Sequence, residues 1–154
     1  HHQSMWKDNR EDIEVVENAL REFDLMHLSA RSTDTLSGGE AQRLALAQLM
    51  AQAPALYLLD EPSNHLDLAH QLKGLQRLKS KVTGHRSALV MASHDINLVS
   101  QMCDHVLLLM GGGKYLAGPV SEILQEDHLS EAFGCRIRRI ESGKGEAVFF
   151  FHSA

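Results

Sequence analysis

Five apolar residues, Ala55-Leu56-Tyr57-Leu58-Leu59, run straight into Asp60-Glu61-Pro62. That junction constrains the fold more than any other feature of the chain. Prolines at 54 and 62 bracket the run, so it is too short for a helix, and it lacks the alternation of a strand wetted on one face. What remains is a strand buried on both faces, as in a parallel sheet. Ser87-Ala88-Leu89-Val90-Met91-Ala92 repeats the design after Gly84, closed by Ser93-His94-Asp95, and residues 105–110 give a third apolar strand.

Around these strands the apolar spacing turns helical. Ile13, Val16, Leu20 and Phe23 mark an amphipathic helix over residues 12–23. Good helix formers fill a second over 41–53, which Pro54 stops. Leu68, Leu72, Leu75 and Leu78 mark a third, and residues 96–102 a fourth. Strand, helix, strand, helix, strand is the α/β pattern of a parallel sheet. Gly111-Gly112-Gly113 reads as a hairpin turn, since no helix start follows it. Beyond Gly118-Pro119, short helices near 120–125 and 128–133 precede two strands, 136–141 and 147–151, joined at Gly143-Lys144-Gly145.

The chain has 154 residues, enough for one domain or a piece of a larger one. Fifteen Lys and Arg against twenty Asp and Glu leave a net charge of −5, so no nucleic acid partner is expected. The apolar runs fall far short of the roughly 18–20 residues that span a bilayer. Neither a transmembrane helix nor a signal peptide is expected. Two cysteines, Cys103 and Cys135, make no disulfide scaffold. His1-His2-Gln3-Ser4 reads as a tag remnant, which sets residues 1–4 apart. His65 and His70 are five apart, poorly placed on one helical face for a metal. Arg136, Arg138 and Arg139 read as a solvated edge.

Three segments carry the chemistry. Asp60 and Glu61 stand at the carboxyl end of a buried strand, where α/β sheets gather ligands and where paired carboxylates add nothing to packing. An Asp in that position suits Mg²⁺ and a neighbouring Glu suits activation of water, although both also suit a helix cap. His94 ends the next strand and can donate to a phosphate, or can be a satisfied structural histidine. Leu36-Ser37-Gly38-Gly39 opens a helix, where two glycines permit close approach of a ligand and the free N–H groups favour an anion. An ordinary cap accounts for Ser37 but not for the glycine pair.

Taken together in this order, Leu36 to Glu40, Leu56 to Pro62, Ser63-Asn64-His65-Leu66-Asp67 and Ser93-His94-Asp95 closely resemble the nucleotide-binding subunit of ABC transporters. The matched order covers residues 36–95. The fold that the resemblance implies is α/β: an incomplete P-loop-type parallel sheet with part of the helical signature subdomain and a small C-terminal extension. Its boundaries are expected at 5–53 for the helical subdomain, 54–118 for the nucleotide-binding core and 119–154 for the extension.

The resemblance implies a homodimer that sandwiches ATP between two ATPase subunits. Ser37, Gly38 and Gly39 would contact the γ-phosphate held by the other subunit. Asp60 would sit in the Mg²⁺ shell, Glu61 would be the general base, Asp67 would organise the subunit contact, and His94 would sense the γ-phosphate. Leu66-Asp67-Leu68-Ala69-His70-Gln71 and Ser93-His94-Asp95-Ile96-Asn97-Leu98 resemble the ATPases that import vitamin B12, haem and ferric siderophores. The ending, from Glu131-Ala132-Phe133-Gly134 to Arg138-Arg139-Ile140, looks most like the vitamin B12 importer ATPase. Such a subunit docks on membrane permease subunits at the inner face of the plasma membrane. The Asn-His-Leu-Asp segment keeps open a soluble ABC protein that acts on ribosomes, although no charged helical linker is visible. A DNA-repair ATPase would want a long coiled coil, which is not seen.

One departure outweighs the matches. No G-x-x-x-x-G-K-[ST] occurs: Gly113-Lys114 is followed by Tyr115 and Gly143-Lys144 by Gly145. The loop that cradles phosphates, its Lys and its Mg²⁺-binding hydroxyl are missing from these residues, and so is the family's glutamine loop. The expectation is a C-terminal fragment that neither binds ATP tightly nor hydrolyses it alone. Its sheet has a slot where the P-loop strand belongs, and bare strand edges invite self-association by strand exchange.

Overall fold

The computed structural model describes residues 10–62, 68–84, 87–141 and 147–152, with the backbone alone for 68–72 and 152. The residues read as a tag remnant, Asp67 with the segment before it, and the turn at Gly143-Lys144-Gly145 lie outside the described residues. The chain divides into two compact units, residues 1–92 and 93–154.

In the first unit, α1 (Arg10–Glu22) is the amphipathic helix expected there, braced on its wet face by Arg21 donating to Glu17 at 2.6 Å. Asp24, at φ 58°, reverses the chain into two single 3₁₀ turns. Helix α2 (Gly38–Gln52) starts three residues earlier than its periodicity suggests, because Ser37 and Glu40 form a capping box. At its other end Lys81 Nζ donates to the Met50 carbonyl at 2.7 Å, a cation on one of the last carbonyls of the helix. Helix α3 (Leu68–Gly84) buries Leu75 and Leu78 completely. It comes close to its neighbours at Gly74, where a Cβ would stand 3.2 Å from the Phe23 ring and 3.4 Å from Leu46.

Strands β1 (Leu56–Asp60) and β2 (Ala88–Ala92) pair in parallel, in register from Leu56 with Ala88 to Asp60 with Ala92. The β-α-β order of an α/β unit is therefore present, with α3 between the two parallel strands. Burial of both strand faces is not. Tyr57 and Leu59 are buried, whereas Leu58 keeps 67% of its surface and Leu56 and Val90 are also exposed. The physical reason is that a parallel strand is buried twice only when layers cover both faces, and among the described residues only one face is covered.

In the second unit, α4 (Ile96–Met102) leads to β3 (His105–Leu109), which turns antiparallel onto β4 (Tyr115–Pro119). Gly112 and Gly113 make that turn at φ 70° and 77°, so the three glycines are the hairpin expected of them. Among the described residues β3 and β4 form a two-stranded antiparallel sheet, where the apolar run at 105–110 suggests a third parallel strand. Helices α5 (Val120–Ile123) and α6 (Glu126–Phe133) precede the closing hairpin of β5 (Arg136–Glu141) and β6 (Ala147–His152). Ile96, Leu108, Ile123, Leu124, Leu129, Ile137 and Phe149 form its core.

Candidate functional site

The signature segment lies at the start of α2. Ser37 is the N-cap: its Oγ accepts from Glu40 N–H at 3.3 Å, and its own N–H donates to Glu40 Oε2 at 2.7 Å. The Ser37 N–H first, and the Ser37 hydroxyl beside the carboxyl next, hold Glu40 below its ordinary 4.5. Gly38 and Gly39 are the first two residues of the helix. Helix geometry points their N–H groups out of the helix start, on the positive end of the dipole. The structural reading of Ser37 as a cap and the anion-binding reading of the glycines are thus compatible.

The acidic pair lies at the carboxyl end of β1. Asp60 is the last residue of the strand and is exposed. Glu61 follows at φ 43°, a left-handed backbone that a residue with a Cβ rarely adopts. It is held there by its N–H donating to the Ala92 carbonyl at 2.9 Å and by buried Pro62 behind it. Its Oε2 is sealed from solvent. Strained backbone of this kind costs about 1–3 kcal/mol and gathers at functional positions.

Gln42 carries a role that the sequence reading missed. Its Nε2 donates to the Pro62 carbonyl at 3.2 Å, tying the signature helix to the backbone just past Glu61. The structure therefore brings together the Ser37–Gly39 helix and the strand that bears Asp60 and Glu61. Nothing in the spacing of Gln42 and Pro62 announces the bond.

His94 belongs to the second unit. It is exposed, in a bend between Ser93, whose Oγ accepts from Asp95 N–H at 3.1 Å, and Asp95, which caps α4 by accepting from Leu98 N–H at 3.0 Å. No group of three or more His, Cys, Asp and Glu among the described residues is arranged to hold a metal. Among the described residues no helix is long and apolar enough to cross a membrane.

The chain is similar to several known proteins. Residues 1–64 match the family model described as ABC transporter. The chain is 39% identical over 131 residues to the hemin import ATP-binding protein HmuV of Pseudomonas aeruginosa, covering 82% of this chain and 51% of that protein. It is 35% identical over 126 residues to the cobalamin import ATP-binding protein BtuD of Halobacterium salinarum, covering 82% and 32%. Against the achromobactin transport ATP-binding protein CbrD of Dickeya dadantii it is 36% identical, covering 84% and 49%. The chain thus spans from about a third to about half the length of these relatives. A solved structure described as a metal-chelate type ABC transporter in an inward-facing conformation superposes with a TM-score of 0.81 at 27% identity, covering 98% of this chain and 62% of that one. By these matches the chain belongs to the ABC transporter family, as a relative of its metal-chelate import ATP-binding proteins.

Proposed function

We propose that this chain is the C-terminal part of an ATPase subunit that energises an ABC importer of metal chelates such as vitamin B12, haem or ferric siderophores. The observation that carries the reading is Glu61, set in a left-handed backbone at the end of a parallel strand and tied through Pro62 to the helix that starts at Ser37. The relatives named above, all import or transport ATP-binding proteins, support the choice of cargo class. The whole subunit would work as a homodimer on permease subunits, peripheral to the inner face of the plasma membrane.

ATP with Mg²⁺ supplies the phosphoryl group and neutralises charge on it. The residues of this chain do the rest by position and electrostatics. The N–H groups at Gly38 and Gly39, with the Ser37 hydroxyl, face a phosphate held by the other subunit. Asp60 offers Mg²⁺ one carboxylate, and Glu61 orients and accepts a proton from the attacking water. Asp67 organises the subunit contact, and His94 donates to the terminal phosphate. Because the chain has no G-x-x-x-x-G-K-[ST], it does not hydrolyse ATP by itself and supplies one part of a composite site.

Purification of the intact parent protein from detergent-solubilised membranes tests the importer reading. Stoichiometric recovery of a membrane permease is expected. Recovery with ribosomes and no permease would replace this reading with the ribosomal one.

A further inference from the structure

Helix α4 has seven residues, well below the roughly 12–15 that an isolated helix needs to persist in water. Whatever holds α4 in place therefore also sets the turn in front of it. At its start, the Asp95 carbonyl accepts from Val99 N–H and its Oδ1 from Leu98 N–H, both at 3.0 Å. The Asp95 N–H donates back to Ser93 Oγ. His94 is the residue between those two anchors.

On its other side α4 is held by Asn97. Its Nδ2 donates to the Phe149 carbonyl at 3.1 Å, and its Oδ1 accepts from the Phe149 N–H at 2.7 Å. One primary amide thus pairs with both main-chain groups of a single β6 residue, as a neighbouring strand would. The Phe149 side chain is buried in the same cluster as Ile96, so the polar and apolar anchors of α4 meet at one position of the hairpin. Ser100 adds a longer bond to the Ala147 carbonyl at 3.4 Å.

We propose that Asn97 is a positioning residue, which clamps the C-terminal hairpin to α4 and, through the Asp95 cap, fixes the place of His94. The functional meaning rests on His94 being the phosphate-sensing group of the reading above, but the coupling needs no nucleotide. The opposite edge of the same hairpin supplies an internal control. There Ile137 N–H donates to Ser130 Oγ at 3.0 Å and Arg139 N–H to Glu126 Oε1 at 2.8 Å. These are edge bonds of the same kind that do not involve α4.

The test is nuclear magnetic resonance on the full 154-residue chain, following the His94 ring protons and the exchange of the Phe149 amide. In Asn97→Ala the Phe149 amide is expected to exchange about tenfold faster, and the His94 ring signals to move. Asn97→Asp keeps the acceptor and loses the donor, so it retains part of the Phe149 protection and gives an intermediate His94 shift. It also keeps the test open if the alanine variant does not fold. Ser130→Ala is expected to leave His94 where it is. Accelerated exchange at Phe149 with unmoved His94 signals would mean that the clamp stops at α4, and the positioning role would be wrong. A His94 shift in Ser130→Ala as large as in Asn97→Ala would mean general loosening and would overturn the proposal equally. Since no nucleotide is present, failure of the importer reading would leave these signals unchanged, and the two failures are separable.

Discussion

The parallel pair β1–β2 and the closing hairpin β5–β6 are built from strands of five and six residues, yet they are finished in different ways. The hairpin pairs residues close in sequence, and side chains of its own unit finish its edges. Asn97 covers one edge, Ser130 and Glu126 cover the other, and Phe133 meets Phe151 edge to face with ring centroids 6.2 Å apart. The parallel pair joins residues 32 apart through a helix that covers one face, and leaves Leu56, Leu58 and Val90 as an apolar strip on the other. An α/β core is thus assembled from remote segments, and a short stretch of chain builds half of it. The hairpin finds its edge partners within residues 93–154, Asn97 from 52 residues away, and still leaves Ile140, Phe150 and Phe151 exposed.

The largest effect that separates the two regions is in their interiors. Leu129, with 0% of its surface exposed beside the hairpin, is expected to cost about 2–5 kcal/mol when replaced by Ala. Leu58→Lys on the bare strip is expected to change unfolding by no more than about 0.5 kcal/mol, while shifting the chain toward monomer in light scattering. Equal destabilisation by both substitutions would mean that the strip is covered. Next in size, Ser37→Ala removes the α2 cap and is expected to lower stability by about 1 kcal/mol in denaturant unfolding. An unchanged midpoint would show that the capping box carries no weight.

Acid gives the smallest effect and reaches both regions. The Arg139 N–H first and the Arg138 guanidinium next hold Glu126 below its ordinary 4.5, as Ser37 holds Glu40 below the same value. A depressed folded-state pKa adds stability that is present above 4.5 and lost as pH falls through the folded value. Urea midpoints should therefore decline below about pH 4.5, and Glu126→Gln should flatten part of that decline. A wild-type slope in the variant would remove Glu126 from the explanation.

Much of this was legible from residues alone. Pro54 and Asp60-Glu61-Pro62 bound β1, the leucine spacing marks α3, and the three glycines announce the β3–β4 turn. Apolar periodicity sets the start of α2 too late because it begins only after the cap, although Ser37 and Glu40 already spell a capping box. Two-sided burial of β1 could not be read, since a strand's own residues do not say whether its second layer is present. Of the candidate site, the residue types at 37–39, 60–61 and 94 were legible from sequence and resemblance. The bonds from Gln42 to Pro62 and from Asn97 to Phe149 were not, because an amide side chain carries no signature of the distant carbonyl that it will meet.

Calorimetric titration of the purified chain with Mg-ATP, at a protein concentration high enough to reveal weak association, tests most directly whether these residues are one part of a composite site. The expected result is no saturable heat and no turnover from contaminant-free protein. Tight one-to-one binding, or hydrolysis abolished by Glu61→Gln, would contradict it and would mean that another segment of the chain does the work of the phosphate loop.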